Sequence, residues 1–200
     1  MKTQDDEWLP QAVLEPTAQL HWDGRSLDHE STVLDLWSWA MSDLRDNTNR
    51  GFLAEFIVAK AIGTQLQIRA TWADFDLETP KGVSVEVKAS AYLQTWNPKL
   101  ISKPKFSGLK ARAWSPRTGY SKEESYRAMV YVFALQTSRI RSEYDALNLS
   151  QWKFWLAPRS ALEALNQKSM VLSSVEKHFG AGIGFAEIAA RFNDMTRDVV

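Results

Sequence analysis

Apolar and polar residues recur along the chain in patterns that predict two helices early in the sequence. After Thr32 the apolar side chains fall on one broad helical face, made by Val33, Leu34, Leu36, Trp37 and Met41. A second helix is predicted over residues 50–62, after a capping segment at residues 47–49, and Gly63 should end it. Because this second helix is apolar nearly all round, we expect it to be buried.

Short apolar runs predict strands in the middle of the chain. Residues 66–71, 74–78 and 83–91 form three such runs, and the third alternates strictly between apolar and polar. An irregular stretch that contains Pro and Lys follows at residues 97–125. Residues 128–135 are then almost continuously apolar, which predicts a strand buried on both faces.

The last predicted elements are a strand at residues 151–157 and a helix that Pro158 opens and that runs to about residue 165. We assign no element to residues 171–200. This order of elements predicts an α/β or α+β fold in which helices cover a sheet. Residues 1–30 are polar and are interpreted as an N-terminal arm, and residues 31–200 as a single domain.

The alternating strand at residues 83–91 carries the candidate chemistry. Its odd-numbered valines and alanines face a core, so Glu86 and Lys88 are neighbours on the polar face. The preceding segment, residues 80–82, suits a three-residue hairpin loop with Gly82 in the left-handed position. The resulting register sets Asp76 directly across from Glu86.

Two opposed carboxylates repel each other unless a cation lies between them or one of them is protonated. Oxygen ligands from Asp76 and Glu86 suit Mg²⁺ or Mn²⁺. Lys88 beside them supplies positive charge near a phosphate or a bound water. Asp74 is the alternative to Asp76, but the register places Asp74 opposite Lys88, where we interpret it as a surface or supporting partner of Lys88.

Glu55 lies in the second predicted helix, between Ala59 and Ile62 on the helical wheel. A carboxylate in a buried helix is costly without a cationic partner. We therefore expect Glu55 to face the metal centre or Lys88.

Asp76, followed ten residues later by Glu86-Val87-Lys88, resembles the motif of the PD-(D/E)XK nuclease superfamily. Glu55 resembles the acid that this superfamily often carries on its first helix, and Gln94 the polar residue often found beyond the motif. The resemblance covers residues 49–94 and continues to Pro158 only as an order of elements, and it is closest to a poorly characterised bacterial branch. The literal Pro before the Asp is absent.

The resemblance implies a restriction-endonuclease-like α/β core of αβββαβ order, with helices flanking a central mixed sheet of four to five strands. It implies hydrolysis of DNA phosphodiesters that depends on Mg²⁺ or Mn²⁺. Asp76, Glu86 and the Val87 carbonyl would hold the metal ion, and Glu55 a second metal ion or a water. Lys88 would orient the attacking water, and Gln94 would position Lys88 or the phosphate. Double-strand cutting by such domains often needs two copies, so a homodimer is compatible with this reading.

Residues 97–122 contain seven basic residues and no acidic one, with aromatic residues interleaved. This composition is typical of segments that contact phosphates and stack on bases, and a solvated loop is the alternative. The expected nucleic-acid contacts are Lys99, Lys103, Lys105, Lys110 and Arg112.

The composition of the chain excludes several kinds of site and segment. The absence of cysteine excludes disulfides, a Cys-based zinc site and a Cys nucleophile, and fits a cytoplasmic protein. The N-terminus lacks the pattern of a signal peptide, and no apolar run is long enough to span a membrane. We expect most of the nine Trp residues in the core and a turn at residues 180–184. A nucleic-acid-binding module without catalysis, or a protein-interaction domain that uses the aromatic residues, remain alternatives.

Overall fold

The computed structural model describes residues 12–27, 31–64, 68–69, 73–96, 100–115 and 117–197. The chain divides into two compact units, Met1–Ser42 with Gln67–Arg69, and Asp43–Leu66 with Ala70–Val200. The first unit contains a short hairpin, β1 (His21–Trp22) and β2 (Arg25–Ser26), and the helix α1 (Val33–Met41).

Helix α1 begins where the sequence predicts it. The Thr32 side chain accepts a hydrogen bond from the Asp35 N–H, and the Asp35 carboxylate accepts one from the Thr32 N–H at 2.9 Å. This reciprocal cap satisfies backbone donors that a helix start leaves open. Of the predicted apolar face, Val33 is buried, whereas the other four side chains are exposed.

The second unit contains eight described strands and four described helices. Their bounds are α2 (Asn47–Ile62), β3 (Leu77–Glu78), β4 (Ser84–Ala91), β5 (Lys105–Ser107), β6 (Ala111–Ser115), β7 (Gly119–Ser125), β8 (Val130–Gln136), β9 (Trp152–Pro158), α3 (Arg159–Leu165), β10 (Ser169–Val171), α4 (Leu172–Phe179) and α5 (Ile188–Thr196).

Helix α2 starts three residues earlier than predicted. Its cap is Asp46, whose carboxylate accepts from the Thr48 N–H at 2.8 Å, so the predicted capping segment forms the first helical turn. Gly63 ends the helix in the left-handed conformation, as predicted. The expectation of burial all round is wrong, because Phe56 on the outer face is about half exposed, at 49%.

A four-stranded mixed sheet forms the centre of the second unit, in the order β3-β4-β8-β9. Strands β4 and β8 are parallel, and the two outer pairs are antiparallel. The predicted mixed α/β architecture is confirmed at this level. The buried strand β8 is confirmed from residue 130, and β9 and α3 lie within a residue of their predicted positions.

The sheet is covered on both faces. Along β8, Val130, Val132 and Ala134 pack in one core with residues of α2 and α5. Tyr131, Phe133 and Leu135 alternate with them and pack in a second core, with residues of β5, β10, α3 and α4. Neither face of a strand that is buried on both sides contacts solvent, so neither face requires polar side chains, which explains the unbroken apolar sequence of β8.

Three predictions of local structure need correction. Only residues 77–78 of the predicted strand 74–78 are in a strand, because the backbone bends at residues 74–76, where Asp76 keeps a hydrogen bond from its N–H to the Val85 carbonyl. The predicted irregular stretch holds β5, β6 and β7, whose pairing is hidden by turn-forming residues and charges. Of the predicted strand 66–71, only Ile68 and Arg69 are described, and neither is in a strand.

The tryptophans also differ from expectation. Of the seven that the structure describes, Trp152 and Trp155 are buried, and the other five are exposed: Trp22, Trp37, Trp39, Trp96 and Trp114. Gly180 ends α4, and where a turn was predicted, residues 180–184 contain a bend at Ala181 and an antiparallel bridge between Ile183 and Phe154. Within the described residues, no helix has both the length and the apolar character needed to cross a membrane.

Candidate functional site

Strand β4 places Glu86 and Lys88 on the same face of the sheet. The apolar residues Val85 and Val87 point into the core under α2, so the residues between them point to the opposite face. There Glu86 is paired in register with Tyr131 of β8, and Lys88 with Phe133. The alternation predicted from the sequence therefore positions this acid–ammonium pair.

The hairpin between β3 and β4 has the predicted register. Leu77 pairs with Val85 and Glu78 with Ser84, and the Gly82 N–H donates to the Thr79 carbonyl at 2.9 Å. Gly82 has φ +78°, the left-handed conformation that the three-residue loop requires. The loop length chosen from the apolar pattern is confirmed.

Asp76 lies one residue beyond the last pair of this ladder and reaches the edge of β4. Its N–H donates to the Val85 carbonyl at 3.1 Å, and its Oδ2 accepts from the Val87 N–H at 2.7 Å. The N–H and C=O of one strand residue point to the same side. The Val87 carbonyl therefore faces the same edge as the Asp76 carboxylate.

The pKa of Glu86 reflects its burial and its charged neighbours. Burial raises the pKa of Glu86 to about 7, with the charge of Asp76 the next cause and that of Glu55 a smaller one, while Lys88 acts in the opposite direction. Lys88 Nζ lies 2.5 Å from Glu86 Oε1. The charges of Asp76 and Glu55 thus both disfavour the ionised form of Glu86, and the Lys88 ammonium favours it.

The loop between β5 and β6 lies over this ammonium group. A Cβ atom built on Gly108 would be 3.6 Å from Lys88 Nζ. Gly108 has φ +71°, so a residue with a side chain would be strained there, while its Cβ atom would make an ordinary van der Waals contact with Lys88. The strand β5 is also tied to β4, because the Lys105 N–H donates to Ser90 Oγ at 3.2 Å.

The predicted pairing of Asp74 with Lys88 is wrong. Asp74 forms a salt bridge with Arg127, because the bend at residues 74–76 takes its carboxylate away from β4. The Arg127 N–H in turn donates to the Tyr131 hydroxyl at 2.9 Å. Asp74 is therefore a supporting residue at the rim of the site.

Glu55 is buried on α2, at 9% exposure, as expected. Gln94 lies just after β4: its Oε1 accepts from Arg50 at 3.2 Å, and its Nε2 donates to the Ala91 carbonyl at 3.0 Å. Sequence reasoning missed Arg50, which is buried at 3% exposure and which joins α2 to the segment after β4. A charged residue within an otherwise apolar helix was the sequence signal that could have indicated this buried role.

The basic residues predicted to contact nucleic acid differ in their exposure to solvent. Lys103, Lys105 and Arg112 are exposed, and Lys99 lies outside the described residues. Lys110 is half-buried, with Nζ 2.5 Å from Asn166 Oδ1 and 5.0 Å from the centre of the Tyr126 ring. Lys110 therefore also has a structural role in holding the start of β6.

No protein-family model matches this chain, and no curated protein matches it in sequence. Among the described residues, no group of three or more His, Cys, Asp or Glu side chains has the arrangement of a metal site. Near this edge of β4 the oxygen donors are the Asp76 carboxylate and the Val87 carbonyl, and the Glu86 carboxylate on the adjacent face is affected by the charge of Asp76. Hard cations such as Mg²⁺ and Mn²⁺ accept this combination, with water completing the coordination.

Proposed function

We propose that this protein is a metal-dependent phosphodiester hydrolase that acts on DNA, with a centre of the PD-(D/E)XK type. The observation that carries the proposal is that Glu86 forms a salt bridge with Lys88 while Asp76 is held against the same strand by the Val87 N–H. Burial, and after it the charge of Asp76, raise the pKa of Glu86 to about 7. A divalent cation held by both carboxylates would offset this cost.

The residues present fit such a cation. Asp76, in the bend before β3, and Glu86 and the Val87 carbonyl of β4 supply oxygen, and the Val87 N–H fixes the Asp76 carboxylate at 2.7 Å. When bound, a divalent cation supplies Lewis acidity to the scissile phosphodiester. The four-stranded mixed sheet between helices supports a restriction-endonuclease-like core, which is part of the same proposal.

The chain's own residues supply the remaining functions. Lys88 orients the attacking water and stabilises the negative charge that develops on the phosphate. Glu86 forms a salt bridge with Lys88, with 2.5 Å between Oε1 and Nζ, and so holds the ammonium group beside the carboxylates. Glu55, whose charge acts on Glu86, is placed to orient a water or to take part in a second cation site.

The test is cleavage of plasmid and linear single-stranded DNA in Mg²⁺ or Mn²⁺. We compare wild type with Lys88→Met, which removes the ammonium but keeps the unbranched chain, and with Lys60→Met, an exposed lysine on α2. Loss of one group that stabilises developing charge lowers the rate by about 10²- to 10³-fold. We expect this loss in Lys88→Met alone.

Two results would count against the proposal. Equal cleavage by all three proteins would trace the activity to a contaminant. DNA binding without turnover in any divalent metal would favour a nucleic-acid-binding module that lacks catalysis. Calorimetric titration with Mn²⁺ gives an independent readout, since Asp76→Asn and Glu86→Gln should each remove the binding heat.

A further inference from the structure

The hairpin β6–β7 is an exposed two-stranded ribbon. Its large side chains, Arg112, Trp114, Tyr120 and Lys122, are exposed, and the small residues between them, such as Ala113 and Ser121, are half-buried. The strands pair through residues 111–115 and 119–125, with an irregularity between Arg112 and Trp114. Large aromatic side chains exposed on a two-stranded ribbon are accessible to a ligand that approaches from solvent.

Both ends of this hairpin lie beside the candidate site. The loop before β6 contains Gly108, where a Cβ atom would be 3.6 Å from Lys88 Nζ. After β7, Arg127 forms a salt bridge with Asp74, two residues from Asp76. A strand of five residues extends about 17 Å, so a polynucleotide held along β6 would reach the site within about five nucleotides.

Two aromatic residues face each other near the end of the hairpin. Trp114 and Tyr120 are directly paired across the strands, and their exposed fractions are 43% and 58%. Directly opposed residues project from one face with Cβ atoms about 5 Å apart. Two neighbouring rings on an exposed face are the arrangement on which successive unpaired bases stack.

The charge around the hairpin selects an anionic partner. The whole chain has 24 basic and 24 acidic residues, so it has no net charge. Residues 100–128 nevertheless hold seven basic residues, of which Arg127 is paired with Asp74, and only two acidic ones, Glu123 and Glu124. The Glu124 carboxylate is already paired with Lys168 at 2.5 Å. The basic excess is thus concentrated on the segment that also carries the aromatic pair.

We infer that the β6–β7 hairpin is a stacking platform that selects single-stranded DNA for the adjacent centre. Phosphate contacts alone do not separate single from double strands, because both present phosphates. The flat faces of bases are accessible only where the bases are unpaired, so the Trp114–Tyr120 pair supplies the discrimination. This inference rests on the proposed function, since it names the substrate class of that centre.

The test is DNA binding measured by fluorescence anisotropy in EDTA, which prevents cleavage. The probes are a labelled oligothymidylate of about 20 nucleotides and a fully paired duplex of the same length. The variants are Trp114→Ala with Tyr120→Ala, and, as a matched control, Trp39→Ala, which removes an 85% exposed tryptophan of the first unit. Thermal unfolding checks that the folded core is intact in each variant.

We expect wild type to bind the single strand more tightly than the duplex. The double variant should bind the single strand about tenfold more weakly or worse, while duplex binding falls much less and Trp39→Ala matches wild type. Tighter binding to duplex, equal single-strand binding by wild type and the double variant, or no DNA binding by wild type each overturns the inference.

A separate assay keeps the two proposals apart. Hydrolysis of the small diester bis(4-nitrophenyl) phosphate in Mn²⁺, by wild type against Lys88→Met, reports on the centre without needing the hairpin. Hydrolysis together with unaltered single-strand binding in the hairpin variant overturns the platform and leaves the proposed function standing. Absence of hydrolysis, of DNA cleavage and of Mn²⁺ binding overturns the proposed function itself.

Discussion

Replacing Glu86 with glutamine should make the metal-free protein more stable than wild type at high pH. The pKa of Glu86 in the folded protein is about 7, against an ordinary value of 4.5, first because of burial and then because of the Asp76 charge. A glutamine side chain has the shape of the protonated acid but cannot ionise. The variant therefore avoids the cost that wild type bears when this carboxyl group loses its proton.

The direction of the pH effect follows from this shift. A carboxyl group whose pKa is raised by folding stabilises the folded state fully only below 4.5, its value when unfolded. That stability is lost as the pH rises through about 7. The separation of the two pKa values corresponds to about 3 kcal/mol at the alkaline limit. Between about pH 5 and pH 8, the free energy of unfolding of wild type should fall by about 2 to 3 kcal/mol through this group.

The measurement is thermal unfolding of wild type and Glu86→Gln at pH 5 and pH 8 in EDTA. The melting temperature of the variant minus that of wild type should rise by about 5 to 10 °C between the two pH values. Titrating groups that do not interact with Glu86 are common to both proteins and cancel in this difference. Glu78→Gln serves as the matched control, because Glu78 lies on the neighbouring strand β3 but is exposed.

A second arm of the experiment adds Mn²⁺ at pH 8. Wild type should gain stability, by about 2.7 kcal/mol at a hundredfold excess of free metal over Kd, and Glu86→Gln should gain none. A difference in melting temperature that stays constant from pH 5 to pH 8 would refute the reasoning about burial and repulsion. An equal Mn²⁺ response in both proteins would remove Glu86 from the metal site.

Two further predictions concern the fold that supports the site. Gly182→Ala should destabilise the protein by about 1 to 3 kcal/mol in thermal or urea unfolding, since the new Cβ would lie 2.5 Å from the buried Trp155 ring. Gly51→Ala is the matched control and should increase the free energy of unfolding by up to about 1 kcal/mol, because nothing lies within 4 Å of its new Cβ and alanine favours the helix α2. Equal effects of the two substitutions on the free energy of unfolding would contradict the packing argument. Asp46→Ala should cost about 0.5 to 2 kcal/mol through loss of the α2 cap, and an unchanged urea midpoint would show that the hydrogen bond to the Thr48 N–H contributes little.

The sequence by itself determined the elements whose signals are local. The strict alternation at residues 83–91 predicted β4 and the shared face of Glu86 and Lys88. The apolar pattern and the residues of the turn together fixed the loop at residues 80–82, because a shift of one residue would have exposed the apolar side of the strand. The unbroken apolar run likewise predicted β8, since only a strand covered on both faces tolerates it.

Contacts between distant parts of the chain were decided only by the tertiary structure. Asp74 pairs with Arg127, which is 53 residues away, because the bend before β3 turns its carboxylate off the sheet. The β6–β7 ribbon was hidden, because its strands have no buried face and so lack the alternation that marks a strand. The burial that shifts the pKa of Glu86 also depends on what packs over β4. Sequence patterns indicate which face of an element is apolar. The element that covers that face is decided by the spatial arrangement of the strands and helices in the folded protein.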